Sequence, residues 1–182
     1  MPFLLGMSME IKNRKPTRLK GYDYSQNGAY FITICSHDRR NLFSKVGAIH
    51  ESPETVFVKL NKFGAILKYS ISKTEKRFNI NIPSYVIMPN HIHLIIEVNS
   101  SKYEQAIRES PLQNRRSILS NIIGYFKMNS SKEIHKINKD IQVWQRGYYD
   151  HVIRNEEDYI NHIQYIDENP RKWLLGKDEY YQ

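Results

Sequence analysis

Apolar and polar residues alternate over 29–37, AYFITICSH, with Tyr30, Ile32 and Ile34 facing one way and Phe31, Thr33 and Cys35 the other. A period of two is the signature of a strand. A basic, turn-rich stretch precedes it (11–28) and reads as an extended arm; a polar, basic connection follows it (38–54). Over 55–74, Leu60, Phe63, Ile66 and Leu67 fall on one helical stripe, with a β-branched start that blurs the boundary. Pro89-Asn90 then separates two apolar runs. Pro suits the second position of a tight turn and Asn tolerates the third, so 84–88 and 91–98 are expected to pair as an antiparallel hairpin. Residues 100–114 read as a loop or short helix. Residues 115–136 are amphipathic, with Leu119, Ile122, Ile123 and Phe126 together. A last strand is expected over 148–154 and a helix over 155–169. That helix has Asn155 as N-cap, acidic residues in its first turn, and Pro170 beyond its end.

The predicted order is β-α-β-β-α-β-α. Its first six elements match a split βαβ arrangement: an α+β fold with a ferredoxin-like or RRM-like antiparallel sheet, helices on one face and an extra C-terminal helix. The expected organisation is a basic N-terminal arm (1–27), one domain (28–176) and a short tail (177–182). With 182 residues the chain has the mass for one real core. A net charge of +8 points to a polyanionic partner, nucleic acid before an anionic membrane surface. Cys35 is the sole cysteine, so no intrachain disulfide forms, which fits a reducing cytoplasm. No apolar run approaches the roughly 20 residues that span a bilayer. The opening MPFLLGMSM is too short for a signal peptide, and its basic residues come after the apolar ones.

Candidate chemistry begins at YVIMPNHIHLIIEV (85–98). On a strand Ile92, Leu94 and Ile96 share a core-like face, whereas His91, His93, Ile95 and Glu97 share the other. Two imidazoles at i and i+2 on a rigid strand can converge on one divalent ion. The plainer alternative is two unrelated polar residues on a solvent-facing strand. On the last helix Tyr159, Ile160, Ile163 and Ile166 cluster and are expected to bury; Tyr165 groups instead with Asp158, His162 and Asn169. Tyr165 and Asn169, one turn apart, can reach one site, the amide as a ligand and the phenol as a nucleophile. On helix evidence alone, in a chain with thirteen tyrosines, Tyr165 is better explained as an amphipathic residue on the helix rim.

Taken together, YVIMPNHIHLIIE, VWQRGYYDHVIRNEEDY and YIDENP make the chain resemble the REP-associated tyrosine transposases, members of the HUH superfamily of single-tyrosine transposases. The resemblance runs from about Tyr30 to about Asn169. It implies that His91 and His93 are metal ligands, Asn169 the third ligand and Tyr165 the nucleophile. It further implies an enzyme that cleaves and rejoins single-stranded DNA, with hairpin-forming repeats as substrate. The chemistry uses a divalent ion, Mg²⁺ or Mn²⁺, and passes through a 5′-phosphotyrosine. A phenol with a pKa of about 10 needs help to ionise at neutral pH. A metal-bound water is one candidate and His162 another, although His162 also reads as a plain exposed residue.

His151 matches a position near the site. Asp150 can support a ligand histidine or pair with a surface lysine, and Glu97 can do the same or be solvated. Arg39, Arg40, Arg115, Arg116, Lys127, Arg146 and Arg154 are candidate phosphate contacts. Trp144, Tyr148 and Tyr149 are candidate stacking platforms for unpaired bases. The arm, with Lys12, Arg14, Lys15, Arg18 and Lys20, suits duplex contact. Two departures, a long 44–56 segment and Trp173 where small residues are common, are expected to lie away from the site. The family includes monomers and dimers with shared sites, so a homodimer stays open; a nucleoid-associated cytoplasmic enzyme without membrane contact is expected. The competing readings are a non-catalytic RRM-like nucleic-acid-binding module and a metal-dependent nuclease that uses water.

Overall fold

The computed structural model describes residues 21–24, 26–49, 52–107 and 117–178. Expectations that fall on residues 1–20, Arg115 and Arg116 lie outside the described residues. Six strands and four helices follow in order: β1 (Gly28–Cys35), β2 (Ser44–Ile49), β3 (Ser52–Leu60), α1 (Lys62–Phe78), β4 (Tyr85–Ile87), β5 (His91–Val98), α2 (Ser100–Ile107), α3 (Ile118–His135), β6 (Tyr149–Ile153) and α4 (Glu156–Leu174). The main sheet has the order β4-β5-β1-β6 with every neighbouring pair antiparallel. This is the split βαβ arrangement that the strand and helix order implies.

Register fixes what each face carries. Tyr30, Ile32 and Ile34 of β1 pair with Ile96, Leu94 and Ile92 of β5. All six are essentially buried, against Leu67 and Ile71 of α1 and Leu119, Ile122 and Phe126 of α3. Each such side chain stabilises the fold by about 1.5–3 kcal/mol relative to exposure. The alternate pairs, Thr33 with His93 and Cys35 with His91, point to the opposite face. There α4 lies over them, with the rings of Tyr165 and Trp173 against those of His93 and His91.

Three expectations are corrected. The helix expected over 55–74 starts only at Lys62, and 55–60 belong to β3, which pairs with β2 in a separate two-stranded sheet. Thr55, Val56 and Val58 favour the extended chain, and Asn61 sets the boundary: its Oδ1 accepts from the N–H groups of Phe63 and Gly64 at 2.9 and 3.0 Å. Gly64 is the residue this corner permits, because a Cβ there would stand 2.3 Å from the Phe43 carbonyl oxygen.

Second, α4 does not stop before Pro170 but runs through it to Leu174. Proline removes one helical hydrogen bond and crowds the preceding turn. Here Ile166 and Asn169 before it and Trp173 after it are all buried, so packing holds the helix together across the break. Third, the buried face of α4 is shifted from the Tyr159-Ile160-Ile163-Ile166 stripe: Ile166 is buried and Tyr159 and Ile163 are half-buried as expected, but Ile160, 45% exposed, is left outside and Asn169 and Trp173 join the buried side. The sheet surface beneath is itself lined with histidine and threonine, so the helix sets polar groups against it.

Candidate active site

The Pro89-Asn90 turn delivers His91 and His93 to the sheet surface, and both side chains have no solvent exposure. The turn also orients the first of them. Asn90 Oδ1 lies 2.7 Å from His91 Nδ1. A carbonyl oxygen only accepts, so the His91 proton sits on Nδ1 and Nε2 presents its lone pair. On β1, Thr33 Oγ1 lies 2.8 Å from His93 Nδ1 and sets the orientation of the second ring. The two imidazoles meet edge to face with centroids 4.6 Å apart.

Removal from water dominates their electrostatics. Burial pushes His91 down to about 3, with Arg39 lowering it further and Asn169 opposing. Burial also holds His93 well below the usual imidazole value, assisted by the charges of His91 and His162. Both rings are therefore neutral near pH 7, the form that ligates a cation.

The last helix brings Tyr165 and Asn169 to these rings. The Tyr165 ring packs against His93 at 5.2 Å between centroids, and against Phe31 at 5.7 Å. Phe31 in turn stacks on His93 at 5.2 Å. Asn169 is fully buried, and its amide is turned toward His91 closely enough to favour the protonated ring. Neither its oxygen nor its nitrogen completes a hydrogen bond among the described residues. A buried amide in that condition costs about 1–3 kcal/mol and asks for a partner. Two neutral imidazoles and one amide oxygen form a donor set that suits a divalent ion.

Several residues of this site were not foreseen. Asp178, placed by the sequence reading in a tail, is buried, and its Oδ2 lies 3.8 Å from His91 Nε2. Trp173, expected away from the site, is buried with its ring 6.0 Å from that of His91. Lys172 holds its ammonium 4.8 Å from the Tyr165 ring centre while pairing with Glu168 at 3.0 Å. Spacing gave a usable signal for Lys172, which follows Tyr165 by two helical turns. For Asp178 there was none, since it lies past the last helix.

Of the supporting residues expected beside the histidine pair, Asp150 and Glu97 are placed elsewhere, whereas His151 and His162 lie on the same side of the sheet, one ring away across Phe31. Asp150 pairs with Ile32 and so points to the opposite face of the sheet from His91 and His93. Glu97 accepts from the Tyr159 hydroxyl at 2.7 Å and from the Asn81 amide at 2.8 Å, tying β5 to α4 away from the ring pair. His151 and His162 both turn to Asp158. His151 Nε2 lies 2.9 Å and His162 Nδ1 3.1 Å from its carboxylate oxygens.

Among the nucleic-acid candidates, Trp144 is half-buried against the core: its indole N–H donates to Ser130 Oγ at 3.1 Å and its ring packs between Phe43 and Phe126. Lys127 donates to the carbonyls of Gln145 and Gly147 at 2.6 and 2.8 Å and holds that loop. Arg40 donates to Gln142 O at 3.1 Å. Tyr148 is half-buried against the core. Tyr149, on the histidine face opposite Thr33, is 47% exposed, and Arg146 and Arg154 are exposed. Arg39 is half-buried and close enough to shift His91. No described helix is long and apolar enough to cross a membrane.

Comparison with known proteins gives this geometry its context. A Haemophilus influenzae protein described as uncharacterized is 32% identical over 171 residues, 90% of this chain and 91% of its own. A second protein of that organism, named "Putative REP-associated tyrosine transposase", is 28% identical over 156 residues, 82% of this chain and 74% of its own. A REP-associated tyrosine transposase of Escherichia coli strain K12 is 24% identical over 152 residues, 82% of this chain and 70% of its own, so the chain has two homologues described by that name. The fold agrees: the solved structure of a REP-associated tyrosine transposase bound to a REP hairpin matches with a TM-score of 0.55 and 20% identity, over 85% of this chain and 73% of that one. No family model matches the sequence. Beside these relatives, the buried histidine pair and the C-terminal helix are the features to explain.

Proposed function

We propose that this protein is a transposase that cleaves and rejoins single-stranded DNA at hairpin-forming repeats, with Tyr165 as nucleophile and a divalent cation, Mg²⁺ or Mn²⁺, held by His91, His93 and Asn169. The observation that supports the reading is the convergence of four groups from two distant segments: Tyr165 against His93, and the buried, incompletely bonded Asn169 amide beside His91. The cation, when bound, would polarise the scissile phosphate and offset the charge that develops in the in-line transition state.

The chain's own groups do the rest. Asn90 holds His91 in the tautomer that leaves Nε2 for ligation, and Thr33 holds the His93 ring in place. Phe31 and His93 wall the Tyr165 ring on two sides and restrict where its hydroxyl can travel. The Lys172 ammonium over that ring favours negative charge on the phenol oxygen. In the reaction the Tyr165 oxygen bonds to phosphorus as the bond to the 3′ oxygen breaks; the products are a 5′-phosphotyrosine and a free 3′-hydroxyl. The reverse attack by another 3′-hydroxyl rejoins strands, because the ester conserves the bond.

The test is an end-labelled single-stranded oligonucleotide carrying a hairpin, incubated with Mn²⁺ or Mg²⁺ and run on a denaturing gel. The expected result is a protein-linked strand that disappears in Tyr165→Phe. Cleavage to a free 5′-phosphate with no linked protein would assign the attack to water. Binding without any cleavage would make the protein a nucleic-acid-binding module.

A further inference from the structure

We propose that His151, Asp158 and His162 form a second metal site, for Zn²⁺ or a neighbouring first-row transition ion, that clamps the start of α4 to β6. The three residues offer one ligand atom each, and those atoms all lie within 4.8 Å of one another. His151 Nε2 is 3.1 and 2.9 Å from the two carboxylate oxygens of Asp158, and His162 Nδ1 is 3.1 Å from Oδ1. Ligands about 2.0–2.2 Å from a tetrahedral ion stand about 3.3–3.6 Å from each other. The cluster is therefore close to the spacing that such an ion imposes, and small side-chain rotations suffice to admit one.

The chemistry of the donors favours a borderline ion over a hard one. Two imidazoles and one carboxylate are a zinc-type set with a fourth position left for water. The cluster is also supported from behind. The Arg154 backbone N–H donates to Asp158 Oδ2 at 3.1 Å, and Asn155 Oδ1 accepts from the Asp158 N–H at 2.8 Å. Asp158 and His162 sit at i and i+4 on one helix face, so their separation is fixed by the helix itself. The two rings stack at 4.6 Å with 25° between their planes. Solvent reaches the site, with His151 48%, Asp158 23% and His162 20% exposed at the side chain. His162 Nδ1 also lies 2.8 Å from the Asp158 backbone carbonyl, so to take up the ion the ring gives up that contact and carries its proton on Nε2 instead.

Position gives the site its consequence. Phe31 touches His162 at 4.6 Å on one side and His93 and Tyr165 at 5.2 and 5.7 Å on the other. An ion here fixes the helix turn that precedes Tyr165, one ring away from the histidine pair. The three residues are thus positioning residues for α4. The assignment stands on its own whether or not Tyr165 attacks DNA, because it is read from binding and not from cleavage.

Zinc titration by calorimetry tests it, in a His91→Ala/His93→Ala background that removes the buried histidine pair. One equivalent of Zn²⁺ should bind, and adding Asp158→Asn or His151→Gln should abolish it. Zn²⁺ should raise the melting temperature of the first variant and leave that of the second unchanged. No zinc bound in the first background, or equal binding after Asp158→Asn, would overturn the assignment. Should the double variant fail to fold, a zinc-soaked crystal of the unaltered protein decides. An anomalous peak between His151, Asp158 and His162 supports the site; its absence there rules the site out.

Discussion

Acid should unfold the metal-free protein earlier than its composition suggests, and the magnitude follows from the two buried imidazoles. His91 and His93 are both unexposed, His91 is pushed down to about 3, and His93 is lowered as well. In the unfolded chain each titrates near its ordinary value of about 6.5. A group whose folded value is depressed contributes its full share above the unfolded value, and loses it as pH falls, because only the unfolded state takes up the proton. The window here runs downward from about 6.5 toward 3. Between pH 7 and pH 5 His91 alone forfeits about 2 kcal/mol, from about 1.4 kcal/mol per pH unit per proton, and His93 adds a loss of the same sign. That is a large share of the 5–15 kcal/mol typical of a domain. The assay is urea unfolding in the presence of a chelator at half-unit steps from pH 7.5 to 5, comparing the unaltered protein with His91→Asn/His93→Gln. Comparing slopes against pH, rather than absolute stabilities, removes the intrinsic cost of the substitutions. If the double variant loses stability with acid as steeply as the unaltered protein, the histidine pair is not the origin and the reasoning fails.

Other substitutions separate the parts of the site. Thr33→Val deletes the contact to His93 Nδ1; it should cost about 1–2 kcal/mol in chemical denaturation and weaken Mn²⁺ binding about 10–100-fold by calorimetry. Lys172→Met keeps the length of the side chain but removes the charge over Tyr165; the rate of covalent adduct formation should fall while oligonucleotide affinity changes little, as single-turnover gels would show. Tyr149→Ala should weaken single-stranded DNA binding by about 1–3 kcal/mol in fluorescence anisotropy. Trp144→Phe should leave that affinity alone and lower stability by about 1 kcal/mol through the lost bond to Ser130.

The sheet was legible because its signal is local. Alternation over 29–35 and 91–98, broken by a Pro-Asn turn, specifies which side chains share a face, and that alone places both histidines together. The Asn155 cap marks the start of α4 in the same way, its Oδ1 accepting from the Asp158 N–H. What failed was long-range or ambiguous. The run TVFVKL over 55–60 is too short to separate a strand from the first turn and a half of a helix; its pairing with 44–49 decided the matter. Asp150 and His151 are adjacent and only one can face the histidine pair, yet which one depends on the β1–β6 register, and a single strand does not reveal that. Trp144 looked like a stacking platform because exposure cannot be read from residue type.

The shifted buried face of α4 has the deepest cause. An apolar stripe usually chooses the buried side of a helix, and here Tyr165 and Asn169 turn to the sheet while Ile160 stays 45% exposed. The sheet surface they meet carries two neutral imidazoles whose lone pairs an apolar stripe could not satisfy. Matching polar to polar makes the fold less costly without making the site self-sufficient, since the Asn169 amide completes no hydrogen bond among the described residues. On the proposed function a cation completes it, and anything that binds only the folded state stabilises by RT ln(1 + [L]/Kd), about 2.7 kcal/mol at a hundredfold excess over Kd. That gain is comparable to the acid-dependent loss from His91. Cation and proton then compete for the same nitrogens. Adding Mn²⁺ should therefore move the onset of acid unfolding to lower pH in the unaltered protein, and should leave it where it is in His91→Asn/His93→Gln.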